Sequence, residues 1–175
     1  MTHGGARVIV GVSGSPGGLA ALHQGAREAR KNGGVLVAVH EWHPPGGRGP
    51  DRGRIPPSLV ELWENLASAR LETALDTAFG GRPAGVRTDL VTIESLPGRG
   101  LCAVADRNDD LLVIGAGGRG PWKRLRGRVR RHVLAKSCCP VLTVPTPFVP
   151  WREGRRLRRA SPSDFAPAGP GGRDG

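Results

Sequence analysis

The glycine-rich segment between residues 115 and 128 has the composition of a phosphate-binding loop. Gly115 and Gly118 follow a short apolar run, and Gly127 lies ahead of a basic stretch with helical spacing. Glycines let backbone amides approach a phosphate closely, and a helix N-terminus adds unpaired N–H groups and partial positive charge. Arg119 and Arg128 add guanidinium groups, which bind phosphate through paired hydrogen bonds. The segment therefore predicts an anion or nucleotide site.

The other polar residues do not form a recognisable catalytic set. Ser13 and Ser15 lack the G-x-S-x-G order of a nucleophile elbow. Asp109 and Asp110 directly precede an apolar run, so they are expected at the end of the sheet away from a ligand. Without paired carboxylates or a credible triad, the sequence does not predict turnover.

Histidines and cysteines give no metal or redox motif. His40 and His43 stand three apart, but no further ligand cluster joins them, so a metal site is not predicted. Cys138 and Cys139 are adjacent and, with Cys102, make an odd number, which is a poor disulfide framework. They are expected to be buried structural thiols in a reducing compartment. No apolar run approaches the roughly 20 residues of a membrane span, so a cytoplasmic location is expected.

The hydrophobic pattern predicts five strands that alternate with four helices. Short β-branched runs indicate the strands, and apolar residues at helical spacing indicate the helices. The predicted strands are 7–12, 35–39, 86–93, 111–115 and 140–144, and the predicted helices are 19–31, 58–78, 101–105 and 127–136. Continuously apolar strands need both faces covered. The expected fold is α/β, an open doubly wound five-stranded parallel sheet with helices on both faces.

In such a sheet, ligands bind at the carboxyl ends of the strands, where the winding direction switches. The loops after the first and fourth predicted strands are therefore the expected site. Ser13 lies in the first of these loops and can donate or accept a hydrogen bond. The glycine-rich segment that begins at Gly115 is the second.

Three segments together resemble the nucleotide-binding universal stress proteins. They are the opening run from Val8 to Pro16, the glycine-rich loop, and the closing run from Cys139 to Val144. The resemblance covers about residues 6–145 and implies a Rossmann-like domain of the adenine nucleotide alpha hydrolase type. It also implies a cytoplasmic module that binds or senses ATP, with Mg²⁺, in the stress response. Any ATP hydrolysis would be weak and incidental.

The resemblance assigns the nucleotide site, and the chain departs from the family pattern within it. The family pattern is Gly, two residues, Gly, nine residues, then Gly with Ser or Thr. Here eight residues separate Gly118 from Gly127, and Arg128 replaces the hydroxyl. Ser13 replaces an Asp that faces the nucleoside in many members. The end of the second strand, near Glu41, is where the family's backbone meets the adenine, so Glu41 is included in the predicted site.

The resemblance further implies a homodimer that pairs through its last strand. The expected dimer edge consists of Val141, Leu142, Thr143 and Val144. Residues 1–5 are expected to be a short extension, residues 6–145 the domain, and residues 146–175 a disordered tail.

Two other functions remain open. The formal net charge of +11 lies entirely after residue 110, where 14 basic residues face 3 acids. A basic final third attracts anions, so nucleic-acid binding is a possible but last-ranked function. The shortened loop and Arg128 are also compatible with a nucleotide-free scaffold that works through protein–protein contacts.

Overall fold

The structure, a computed structural model, describes residues 6–44, 55–116 and 123–146 of the 175-residue chain. The predicted N-terminal extension, Gly118, Arg119 and nearly all of the predicted tail lie outside these residues. Strands and helices alternate along the chain. They are β1 Arg7–Gly11, α1 Pro16–Lys31, β2 Val35–Trp42, α2 Pro57–Phe79, β3 Arg87–Glu94, α3 Arg99–Val104, β4 Leu111–Gly115, α4 Lys123–Lys136 and β5 Val141–Val144.

The five strands form one parallel sheet in the order β3-β2-β1-β4-β5. The chain winds outward from β1 in one direction through β2 and β3, and then crosses back to β4 and β5. The winding direction therefore switches between β1 and β4, as the predicted doubly wound sheet requires. β5 and β3 are the two edges of the described sheet.

Alternate residues of the buried strands serve two separate cores, one on each face. Val8 and Val10 of β1 pack with Leu22 of α1 and Leu71 of α2. Ile9, between the two valines, instead packs with residues of α3, α4 and the segment before β5, among them Leu101, Ala105, Val133 and Cys139. Both faces of the sheet are covered, which explains why the strands are apolar throughout.

Helix α1 begins three residues earlier than its apolar spacing predicts. The hydroxyl of Ser15 caps it by accepting a hydrogen bond from the Gly18 amide at 3.3 Å, and Pro16 occupies the first helical position. Both residues are typical of a helix start, because the cap satisfies a free amide and proline has no N–H to lose. This earlier start brings the helix N-terminus directly to the end of β1.

Two sequence expectations are wrong in detail, and the apolar spacing of α2 does not identify its core face. The leucines at 59, 62 and 66 are exposed, and the core face carries Ala67, Leu71, Ala74 and Leu75. Of the two adjacent thiols expected to be buried, Cys139 is buried but Cys138 is exposed. β2 continues to Trp42 because its last residues pair with the end of β3.

An ion pair joins two strands at the amino end of the sheet. Arg7 donates from Nε to Asp110 Oδ1 at 2.9 Å and from Nη2 to Asp110 Oδ2 at 2.6 Å. Asp110 is 2% exposed and also accepts from the Arg107 amide at 3.1 Å. Arg7 further reaches the exposed Asp106 and the Val104 carbonyl. Asp110 therefore lies away from the carboxyl end, as predicted, and joins the starts of β1 and β4.

Candidate functional site

A cleft of about 210 Å³ opens at the carboxyl ends of β1 and β4, where the winding direction switches. Backbone forms much of its wall, because Gly11, Gly17, Gly18 and Gly115 all line it. The apolar part of its lining consists of Val12, Val39, Pro97, Leu101, Ile114 and Val129. A concave, largely apolar pocket with a few polar groups is the usual form of a small-molecule site.

Hydrogen bonds from β2 fix the chain as it leaves β1. The Val12 amide donates to the Val39 carbonyl at 2.8 Å, and Nδ1 of His40 lies 2.9 Å from the Val12 carbonyl. A carbonyl can only accept, so the hydrogen of this contact belongs to Nδ1 of His40. Both backbone polar groups of Val12, its N–H and its carbonyl, are therefore hydrogen-bonded, and this fixes the backbone that leads to Ser13.

Ser13 lies at the mouth of the cleft and is linked to the start of α1. Its exposed hydroxyl is 2.9 Å from the Ser15 hydroxyl, which in turn caps the helix. No acidic residue occupies the first turn of α1. The partial positive charge of this 16-residue helix is therefore not neutralised by its own side chains at the cleft.

Gly115 is required by close packing. A Cβ at this position would lie 2.6 Å from the Gly17 carbonyl oxygen and 2.7 Å from its carbon. Real Cβ atoms do not approach backbone so closely, and neither partner is a flexible side chain. Glycine at the end of β4 therefore lets the first turn of α1 close one side of the cleft.

Glu41 lines the cleft, but its carboxylate binds the protein itself. It accepts from the Gly98 amide at 2.8 and 3.0 Å and from the Leu101 amide at 3.1 Å. These amides belong to the N-cap and the first turn of α3. The charged side chain thus serves as the cap of that helix, since Gly98 carries no side chain to do so.

The structure changes the predicted position of the last two motif residues. Helix α4 begins at Lys123, four residues before its predicted start at residue 127, so Gly127 and Arg128 lie inside it instead of at its N-terminus. A Cβ on Gly127 would meet nothing within 4 Å. Arg128 does not line the cleft; its neighbour Val129 does, and Arg128 faces an adjoining groove. Gly118 and Arg119 lie outside the described residues.

Thiol and metal chemistry receive no support near the cleft. Burial, and secondarily the negative charge of Glu41, raises the pKa of the Cys102 thiol, which disfavours the nucleophilic thiolate. Within residues 6–44, 55–116 and 123–146, no three His, Cys, Asp or Glu side chains form a group that could hold a metal ion. In the same ranges, no helix is long and apolar enough to cross a bilayer.

Sequence reasoning missed several residues of the cleft. Ser15, Gly17 and Gly18 were overlooked because the first helix was expected to begin at residue 19. The Ser-Pro pair at 15 and 16 is a helix-start signal that could have located them. Leu101 and Val129 come from the far face of the sheet, and no local pattern links them to the other residues.

The fold matches those of known proteins. The sequence profile of the universal stress protein family matches residues 6–145. Comparison with curated protein sequences gave no significant match. Among solved structures, a universal stress protein in complex with cAMP is 23% identical and has a TM-score of 0.51, over 81% of this chain and 98% of its own.

Two further structures have the same fold. UspA from Lactobacillus plantarum is 19% identical with a TM-score of 0.53, over 80% of this chain and 97% of its own. The protein MJ0577 is 17% identical with a TM-score of 0.57, over 83% of this chain and 99% of its own. With the profile match across residues 6–145, the chain belongs to the universal stress protein family.

Proposed function

We propose that the cleft binds an adenine nucleotide and that the protein senses this ligand in a cytoplasmic stress response. The observation that carries the proposal is the convergence of the α1 N-terminus with the ends of β1 and β4 around a cavity. Nucleotides bind at this place in doubly wound sheets because the helix end favours their phosphates. The structural neighbour solved with cAMP supports the same class of ligand.

The lining suits the three parts of a nucleotide. Val39, Leu101 and Ile114 offer apolar surface for a purine ring, and the exposed Ser13 hydroxyl can bond a ribose. The backbone at Gly17 and Gly115 can approach phosphate closely. We propose ATP with Mg²⁺ as the largest such ligand, in which the phosphates would supply ligands to the ion.

We propose binding without efficient turnover. Among the described residues that line the cleft, Glu41 is the only carboxylate, and its oxygens accept hydrogen bonds from the Gly98 and Leu101 amides. His40 holds the Val12 carbonyl through Nδ1. The Glu41 oxygens already cap α3, so we assign Glu41 no role as a general base. Nε2 of the neutral His40 ring can still accept a proton, so we propose that any hydrolysis is weak and incidental.

Calorimetric titration of the full-length chain with ATP and Mg²⁺ tests this proposal, with adenosine and AMP as shorter probes. We expect saturable binding of AMP and ATP. The absence of detectable heat with all three ligands at millimolar concentration would overturn the proposal. It would favour the second candidate, a nucleotide-free scaffold, for which the position of Arg128 outside the cleft is the supporting observation.

We further propose that the nucleotide signal is transmitted through a homodimer formed by β5. The Pro140 carbonyl accepts a hydrogen bond from Leu112 of β4, and the Val144 carbonyl accepts one from Ala116, which follows β4. Because backbone groups alternate in direction along a strand, those of Val141 and Thr143 point to the free edge. Replacing Thr143 with proline would remove one outward N–H group and leave the bonds to β4. Sedimentation should show a wild-type dimer and a T143P monomer; a wild-type monomer at high concentration would contradict the proposal.

A further inference from the structure

A second concave surface lies beside the cleft, and we name it the basic groove. It has a volume of about 620 Å³, and Pro97 is the only described residue that it shares with the cleft. Three separate segments form it: the residue that follows β2, the connection between β3 and α3, and one face of α4. Its charged and titratable residues are Arg99, Arg128, Arg131, Lys136, His43 and His132.

One face of α4 supplies most of these groups. Arg128, Arg131, His132 and Lys136 follow the i, i+3, i+4, i+8 spacing of residues that share a helix side. From Arg128 to Lys136 the helix rises about 12 Å. Arg99, which lies far away in the sequence, lines the same groove. The fold therefore places four permanent cations along the basic groove.

These cations differ from the ion-paired arginines of the described surface. Arg7 pairs with Asp110, Arg82 with Glu72, and Arg87 with Asp89. By contrast, no acidic residue is among the described residues that line the groove, and its four cations form no ion pair with any other described residue. Like charges three or four residues apart on a helix repel each other and lower its stability, and a bound polyanion would offset that loss.

We propose that the basic groove is a second ligand site, for a small anion that carries a chain of several phosphate groups. Its volume lies within the range of small-molecule sites, about 300–1,000 Å³. Guanidinium groups bind phosphate with paired hydrogen bonds, and successive cations along α4 suit successive phosphates. The proposal does not depend on a nucleotide in the cleft, because the two cavities have separate linings on either side of Pro97.

Inorganic triphosphate is the probe, titrated calorimetrically into the full-length chain. The test variant is R131Q/K136Q, which removes two groove cations and leaves the cleft lining intact. The control is K31Q/R130Q, which removes the same charge from exposed residues of α1 and α4 that lie outside the groove. Circular dichroism and thermal unfolding check that both variants fold.

We expect the test variant to weaken triphosphate binding at least about tenfold, since each charge-assisted contact contributes roughly that factor. The control should change it less than about threefold, through general electrostatics alone. No binding to the wild type, or equal weakening in both variants, would overturn the proposal.

Competition identifies the source of the phosphates. If triphosphate binds without displacing ATP, the groove takes a free oligophosphate, as we propose. If ATP displaces the triphosphate, and R131Q/K136Q weakens the binding of ATP but not that of adenosine, the groove holds the phosphate chain of a nucleotide. The proposal of an independent site would then be wrong. Adenosine binding reports on the cleft alone, so failure of the cleft and failure of the groove give different results.

Discussion

At the amino end of the sheet, Arg7 and the buried Asp110 satisfy each other with two hydrogen bonds. Beside the cleft at the carboxyl end, the described residues that line the basic groove include four permanent cations and no acid, and the walls of the cleft are largely backbone and apolar side chains. Paired charge joins strands, whereas unpaired charge around a cavity is available to a ligand. The amino end of the sheet therefore serves stability, and the carboxyl end is where we propose that the nucleotide binds.

Removal of Asp110 should have the largest effect on stability. D110A leaves Arg7 without its main partner, and loss of one member of a buried pair costs about 3 kcal/mol. D109A changes a neighbouring exposed carboxylate and should cost less than about 0.5 kcal/mol. Urea unfolding measures both. Similar values for the two variants would show that the amino end does not depend on this pair.

Two motif glycines should respond in opposite directions. G115A forces a Cβ against the Gly17 backbone, so it should destabilise the fold by about 2 kcal/mol and disturb the cleft. G127A adds a methyl group to open space inside a helix and should stabilise it by about 1 kcal/mol.

Thermal unfolding and ATP titration of both variants separate these effects. We expect ATP binding to weaken about tenfold or more in G115A, because the first turn of α1 must move away from β4. G127A should bind ATP like the wild type. If G115A changed neither stability nor ATP binding and G127A abolished ATP binding, the glycine of α4 would be the one that contacts the ligand.

Substitution of Glu41 tests whether a charged residue at the carboxyl end of the sheet stabilises the fold instead of binding the ligand. E41Q removes one of the two oxygens that accept from Gly98 and Leu101, which should cost about 1–2 kcal/mol. The matched control is E64Q, an exposed position on α2. Hydrogen exchange should be faster at the Leu101 amide in E41Q. Unchanged protection with weaker ATP binding would instead assign the Glu41 side chain to the ligand, in addition to the backbone contact that the resemblance implies.

The smallest expected effect concerns Asp106, on the solvent side of the Arg7 pair. The hydrogen bond from Arg7 lowers the pKa of Asp106 below its ordinary value. A lowered pKa stabilises the fold above the ordinary value, and this contribution disappears as the pH falls through the folded-state pKa. The difference in stability between wild type and D106N should therefore be present at neutral pH and shrink below about pH 4. A pH-independent difference would exclude this ion pair as its cause.

The order of the elements and the doubly wound sheet could be predicted because buried parallel strands require continuous apolar runs. The position of Gly115 followed from the same logic, since the switch point lies at the end of β4. The buried face of α2 could not be predicted, because leucine spacing alone does not show which of two apolar sides meets the sheet. Only packing selects the smaller Ala67 and Ala74 for close approach.

The basic groove could not be predicted, for a physical reason. The sequence shows a basic run in α4, which is compatible with an ordinary solvated helix face. The crossover connection places Arg99 and Pro97 opposite that face and turns a surface into a cavity. The role of Glu41 was hidden in the same way, because its partners lie 57 and 60 residues away.

We propose that the nucleotide binds at the carboxyl end of the sheet and not at the amino end. Amide chemical shifts of the full-length chain, recorded by NMR during titration with ATP and Mg²⁺, test this most directly. We expect saturable shifts at Val12, Ser13 and Gly115, with Arg7 and Asp110 unchanged. Shifts confined to Arg7 and Asp110, or none anywhere at millimolar ATP, would contradict it.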